Sequence, residues 1–183
     1  MGVVEQLKQD GIEKGLCRLW QRKLTGDLNI SELSELYIKG IDFCILEDYP
    51  TLEYMRATFK GKCEPYGIYI DDEVEELKNA PDAVFNGDCK ALLEYDGFAV
   101  SRVFARHNTK ASVNVSDNAI VTIDAFDSSY LVVAVSGDKA QVIVNLYGNA
   151  RVETIGMGIT VNYKNKKHIS YDRQQFGITS AFR

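Results

Sequence analysis

Residues that could move a proton are few in this chain of 183 residues, and they lie apart. His107, beside Arg106 and Asn108, has the residue type of a general base. No nucleophile or orienting carboxylate is identifiable for it, so we interpret His107 as a residue at a surface corner. The other histidine is His168. The sequence therefore predicts no catalytic residues and a protein that is not an enzyme.

Two pairs of adjacent carboxylates, at 47–48 and 71–72, are the remaining candidates for acid–base chemistry. Adjacent side chains on a strand point in opposite directions, so neither pair forms a site by itself. A cation site at Asp71, Asp72 and Glu75 lacks the glycine and the ligand spacing of a calcium loop. We interpret both pairs as solvated acidic edges and predict no bound metal.

The cysteines are Cys17, Cys44, Cys63 and Cys89, and they include no C-x-x-C pair of the kind that zinc sites use. Nucleotide-binding and hydrolase motifs are absent as well, so we predict no cofactor. The N-terminus lacks the apolar core of a signal peptide, which favours a reducing compartment and free thiols. No apolar run approaches the roughly 20 residues that a membrane span needs.

Charge is distributed unevenly along the chain. Residues 1–98 hold 11 Lys and Arg against 20 Asp and Glu, whereas residues 99–183 hold 10 against 6. Phosphate contacts need basic side chains, so the acidic first part argues against a nucleic-acid-binding role for it. Hydrophobic residues make up 45% of the chain and charged residues 26%, as in ordinary folded proteins.

The first predicted structural unit of the chain is a helical head at residues 1–62. Its apolar side chains recur at helical spacing, which predicts a compact unit of three helices. Asn29 and Glu32 form a capping-box pattern at the start of the second helix, and Gly40 ends it. Pro50 is predicted to lie in the first turn of the third helix.

Residues 63–107 are predicted to form a strand-rich region that connects the head to the rest of the chain. Apolar and polar side chains alternate there with the two-residue period of a strand. Asp96-Gly97 stands between two such runs, which predicts a type I′ hairpin.

Residues 108–163 form a repeat, which is the strongest pattern in the sequence. Short alternating strands recur about every ten residues, and corners of Asn, Asp and Gly separate them. The valines at the strand centres are predicted to form one inward column: Val113, Val121, Val133, Val142, Val152 and Val161. The pattern favours a short β-solenoid, and a sandwich of antiparallel hairpins is the alternative. The predicted fold class is α+β, with a helical N-terminal part followed by a mainly-β C-terminal part.

The expected length of this stem predicts a partner. Three strands per turn would give about 29 residues per turn and about two turns, which leaves strand edges and apolar side chains open. We therefore predict a homo-oligomer, with a trimer as the first choice because three stems would share one core.

The C-terminal segment 164–183 combines basic residues with the aromatic side chains Tyr171, Phe176 and Phe182. We predict a docking tail that lays these aromatics on a neighbouring surface. Nucleic-acid binding by the basic residues is the alternative, although we predict no direct contact with nucleic acid.

A resemblance adds to these predictions. The segments GLCRLW (15–20), YIKGIDFCI (37–45) and KCEPYGIYIDD (62–72), followed by repeats of the form (D/G)NA-x-V-x-V, resemble structural proteins of tailed bacteriophages that infect Bacteroides-type bacteria, the crAss-like phages. The repeat alone also resembles exported adhesin-like β-helices and the cytoskeletal bactofilins. The phage resemblance implies a virion component, such as a head or tail attachment, fibre or hub protein, with other virion proteins as partners.

The expected function is therefore structural. A helical head would dock on the particle while the repeat stem self-associates, and the protein would be made in the host cytoplasm and located in the virion. The alternatives are a self-associating scaffold of the bacterial cytoplasm and an adhesin-like binding module.

Overall fold

The structure is a computed structural model that describes residues 2–164. Within that range the chain forms five helices, a 3₁₀ turn at Glu64–Tyr66 and then eleven strands. The helices are α1 (Val3–Glu13), α2 (Arg18–Lys23), α3 (Ile30–Lys39), α4 (Ile41–Leu46) and α5 (Leu52–Thr58). The strands are β1 (Ile68–Ile70), β2 (Glu73–Lys78), β3 (Asp82–Asn86), β4 (Lys90–Tyr95), β5 (Val100–Ala105), β6 (Lys110–Val115), β7 (Ile120–Ala125), β8 (Tyr130–Val135), β9 (Gln141–Tyr147), β10 (Arg151–Ile155) and β11 (Ile159–Lys164).

The helical head contains five helices among the described residues, and not the predicted three. Gly15 has a φ of 90° between α1 and α2, a conformation that interrupts the helix, and the apolar segment after Gly40 forms α4. The capping box is confirmed, because Asn29 Oδ1 accepts from the Glu32 backbone N–H and the Glu32 side chain accepts from the Asn29 N–H. Pro50 precedes α5 and does not lie in its first turn.

The strands form a β-solenoid of two parallel sheets, which confirms the predicted fold class. The strand order is β1-β3-β5-β7-β9-β11 in one sheet and β10-β8-β6-β4-β2 in the other. Each turn contributes one strand to each sheet, and Val100 pairs with Ile120 of the next turn. The solenoid therefore has about five turns of about 20 residues each. Parallel pairing excludes the sandwich of antiparallel hairpins.

Two predictions about the repeat are wrong. A turn holds two strands and not three, because each corner carries the chain from one sheet to the other. Asp96-Gly97 is such a corner between β4 and β5, which lie in different sheets, and it is not a hairpin. Parallel pairing runs without interruption from β1 to β11, so it shows no change at residue 108.

The corners share one backbone conformation, which explains their Asn, Asp and Gly residues. Positive φ angles occur after strands of the six-stranded sheet at Asp71, Gly87, His107, Asp127 and Gly148, and after strands of the other sheet at Asn79, Gly97, Asp117, Gly137 and Gly156. Some corner side chains also bond to the preceding turn, because Asp117 Oδ2 accepts from the Gly97 N–H at 2.9 Å. At Gly156 a Cβ atom would collide with the Val135 carbonyl oxygen, so only glycine fits there.

The helical head packs along the outer face of the six-stranded sheet. Its core cluster includes Val84, Phe104, Phe126 and Tyr147, which come from four successive turns of the solenoid. The rings of Phe126 and Tyr147 stack with their centroids 4.5 Å apart. The head therefore packs against one flank of the solenoid.

Candidate assembly interface

The predicted inward valines face the space between the two sheets. Four of them are fully buried: Val113, Val121, Val133 and Val142. Val152 and Val161, which belong to the last turn, are half-buried against the same core. Successive strands alternate between the sheets, so these side chains belong to facing columns and not to the single column that the sequence predicted.

Among residues 2–164, the last turn, formed by β10 and β11, leaves the solenoid core open at one end. Tyr163 is paired with the buried Leu146, so its side chain continues an inward-facing column, yet 84% of it is exposed. Nearby, Ile155 is 61% exposed and Met157 is 77% exposed. In the part of the chain that the structure describes, β10 pairs only with β8 and β11 only with β9. Two strand edges and an apolar core surface therefore lie together at this end.

The first turn, at the opposite end, has the features that prevent strand addition. β1 has only three residues, and β2 carries four charged side chains among its six residues. The register between β2 and β4 also shifts between Val74 and Leu77. Short strands, charges and irregular register all make an edge a poor template for another strand. The strands of the last turn have five and six residues, and only three of these eleven residues are charged.

A buried cation joins the head to the solenoid. Arg106 is 1% exposed and donates to Asp48 Oδ1 at 2.9 Å, to Asn86 Oδ1 at 3.2 Å and to the Tyr37 hydroxyl at 3.4 Å. Burial raises the pKa of Tyr37 to about 12, although the nearby guanidinium opposes that shift. Arg106 carries no signal in the sequence, because nothing in its local pattern distinguishes a buried arginine from an exposed one.

The two acidic pairs that the sequence suggested also lie at this junction. Asp48 is half-exposed and pairs with Arg106. Asp71 accepts from Arg56 Nε at 2.6 Å and from Nη2 at 2.8 Å, and its side chain is 18% exposed. The hydrogen bonds from Arg56 hold the pKa of Asp71 down at about 2. The interpretation of residue 71 as part of a solvated edge is therefore wrong, because α5 brings a cation onto it.

His107 lies at a corner, as predicted. Its Nδ1 accepts from the Gly87 N–H at 3.0 Å, and its own backbone N–H donates to Asp127 Oδ2 at 3.0 Å. These bonds connect three successive turns of the solenoid. Among residues 2–164, no three His, Cys, Asp or Glu side chains are grouped closely enough to hold a metal ion.

All four cysteines are free thiols, of which Cys17 is exposed and the others are buried. Burial raises the pKa of Cys44 and of Cys63 to about 12. These two residues are therefore unreactive components of the head core.

A cavity of about 270 Å³ lies within the helical head. Side chains from all five helices line it, and no Asp, Glu, Lys, Arg or His is among the lining residues. Trp20, the single tryptophan of the chain, forms part of its wall. The exposed residues Gly15 and Cys17 lie where the cavity meets the surface.

Comparisons with known proteins identify no family. No family model matches the chain, and no solved structure matches it. The chain is similar to an aminomethyltransferase from Thermosipho melanesiensis, with 23% identity over 141 residues. That similarity covers 74% of this chain and 35% of the transferase, so the chain spans about a third of that relative's length.

The remaining predicted interaction residues, Tyr171, Phe176 and Phe182 of the docking tail, lie outside the described residues. None of the helices in residues 2–164 has the length and apolar character needed to cross a membrane.

Proposed function

We propose that this chain is a non-enzymatic assembly protein that self-associates through the last turn of its solenoid. The observation that supports this proposal is the open core at that end, where Val152, Val161 and Tyr163 extend buried columns to the surface. Burying this apolar surface against another copy would remove it from water and would pair the free strand edges.

The difference between the two ends favours a closed assembly. Stacking the last turn of one copy on the first turn of the next would generate a filament, but β1 offers only three residues and β2 has an irregular register. Pairing of two last turns uses the same surface on both copies and stops at two. The trimer expected from the sequence rested on a stem of two turns. With about five turns burying their own core, a dimer is the state we propose.

The proposed setting is the virion of a tailed phage, with other virion proteins as further partners. Two observations support this setting. The head segments and the repeat resemble phage structural proteins in sequence, and the last turn of the solenoid has an apolar surface that assembly would cover. Mass spectrometry of purified phage particles tests it, because a virion component is recovered in stoichiometric amounts. Recovery only in the host cytoplasm would support the alternative of a bacterial scaffold.

Light scattering on the full chain, together with a pair of variants on one strand, tests the self-association. Val161→Lys places a charge on the half-buried inward side of β11, and Thr160→Lys places the same charge on the exposed outer side. At micromolar concentration we expect twice the 20.5 kDa chain mass for the wild type and for the Thr160 variant, and monomers for the Val161 variant.

Circular dichroism provides the control that both variants keep the fold. A wild-type monomer, or a dimer that the Val161 substitution leaves intact, would contradict the proposed interface. A measured mass of three chains would contradict the proposed dimer and would support the trimer expected from the sequence.

The similarity to an aminomethyltransferase supports a second candidate, which is an aminomethyl-transfer activity. The chain spans about a third of that protein's length. An aminomethyl-transfer assay with the purified chain tests this candidate. Turnover that exceeds the rate of a heat-denatured control would establish an enzyme and would overturn the non-enzymatic proposal.

A further inference from the structure

The head cavity is separate from the proposed assembly interface and has the properties of a ligand site. Its wall includes Leu33, Phe43 and Met55 from three different helices, together with Leu16, which precedes α2, and Phe59, which follows α5. A volume of about 270 Å³ is close to the lower limit of pockets that hold small molecules. An apolar wall gains little from contact with water, so an apolar molecule binds there in preference to water.

Hydrogen bonds within the protein occupy the polar groups of two tyrosines in the wall. The Tyr49 hydroxyl donates to the Leu7 carbonyl at 2.6 Å, and the Tyr37 hydroxyl donates to Asn86 Oδ1 at 3.3 Å. Ser34 provides one further hydroxyl, and no charged side chain lines the cavity. A charged group placed inside the cavity would therefore lose its hydration without gaining an ion pair.

We propose that the head cavity binds a small, uncharged, apolar molecule. A cavity of about 150 Å³ accommodates benzene with its six heavy atoms, so a volume of 270 Å³ corresponds to a ligand of about ten heavy atoms. The ligand enters between Gly15 and Cys17, where the cavity reaches the surface. Its carbon skeleton packs against the Trp20 ring and the aliphatic side chains, and at most one hydroxyl or carbonyl group approaches Ser34.

A matched pair of probes tests the proposal on the full chain. Octan-1-ol is uncharged and has nine heavy atoms, and octanoate has the same chain length with a negative charge at pH 7. We expect octan-1-ol to change the Trp20 fluorescence in a saturable manner with one site per chain and to raise the melting temperature. Octanoate should bind at least tenfold more weakly.

Two variants on α3 locate the site. Ser34→Leu adds carbon atoms to the cavity wall, whereas Ser31→Leu makes the same change at an exposed position of the same helix. We expect the Ser34 variant to lose the octan-1-ol response and the Ser31 variant to keep it. If the Ser34 variant does not fold, Leu36→Phe, which also reduces the cavity volume, replaces it.

Three results would overturn the proposal: no saturable octan-1-ol binding by the wild type, equal binding of octanoate, or an unchanged response in a folded cavity-filling variant. None of these results depends on the oligomeric state. The cavity and the assembly interface are therefore tested independently.

Discussion

Arg106 is buried beside the half-exposed carboxylate of Asp48. We therefore predict that this carboxylate stabilises the junction between head and solenoid by an unusually large amount for its exposure. Asp48→Asn keeps the shape of the side chain and tolerates the left-handed backbone at this position, where φ is 50°. It removes the charge that lies 2.9 Å from a guanidinium of 1% exposure. The amide oxygen can still accept from the guanidinium, so the substitution removes the charge–charge part of the interaction, and we expect a loss of about 1–2 kcal/mol in the free energy of unfolding.

A double-mutant cycle isolates the pair from other effects of each substitution. Arg106→Met replaces the buried cation by an apolar chain, and in that background the Asp48 substitution should cost only a few tenths of a kcal/mol. Urea unfolding of the wild type, both single variants and the double variant gives the coupling energy, for which we expect about 1–2 kcal/mol. Asp138→Asn at an exposed corner serves as the control. A coupling energy near zero would refute this account of the junction.

Three further predictions concern the core, the junction and the thiols. Val142→Asp places an unpaired charge at a position of 1% exposure and should lower the free energy of unfolding by several kcal/mol. Ile143→Asp, on the outer side of the same strand, should be tolerated. Thermal melting compares the two variants, and equal melting temperatures would contradict the assigned inner face. The lowered pKa of Asp71, about 2, stabilises the folded state above about pH 4, and this stabilisation is lost as the pH falls from about 4 to about 2. Asp71→Asn should therefore cost about 1–2 kcal/mol at pH 6 and almost nothing at pH 2, measured by urea unfolding; a pH-independent cost would contradict the ion pair. A thiol reagent should titrate one cysteine, Cys17, in the native protein and all four in urea, and rapid native labelling of more than one would contradict the burial of the others.

The fold class was predictable because its signals are local. The change from helical spacing to alternation near residue 66 and the polar corners both follow from side-chain direction and backbone conformation within a few residues. The number of strands per turn was not predictable in this way. A corner of Asp and Gly has the same composition in a hairpin, as expected at 96–97, and in a solenoid, where the left-handed residue carries the chain to the other sheet.

The candidate sites depend on contacts between residues far apart in the sequence, and for that reason local patterns gave only part of them. Alternation identified Val152 and Val161 as inward-facing, but only the strand order shows that they lie in the last, open turn. Asp48 and Arg106 are 58 residues apart, and their pairing follows from how the head packs against the outer sheet face. The head cavity has no sequence signal, because its apolar wall residues have the spacing of any helix core.

Hydrogen–deuterium exchange at two protein concentrations tests the central claim, which is that copies of this chain associate through the last turn. The strand-edge amides of residues 151–164 would exchange rapidly in the dilute, monomeric protein and become protected at high concentration. The amides of residues 73–78, at the opposite end, would exchange equally at both concentrations. We predict this pattern in the wild type and its loss in the Val161→Lys variant. Exchange of residues 151–164 that is independent of concentration, or protection that appears only at residues 73–78, would contradict the account.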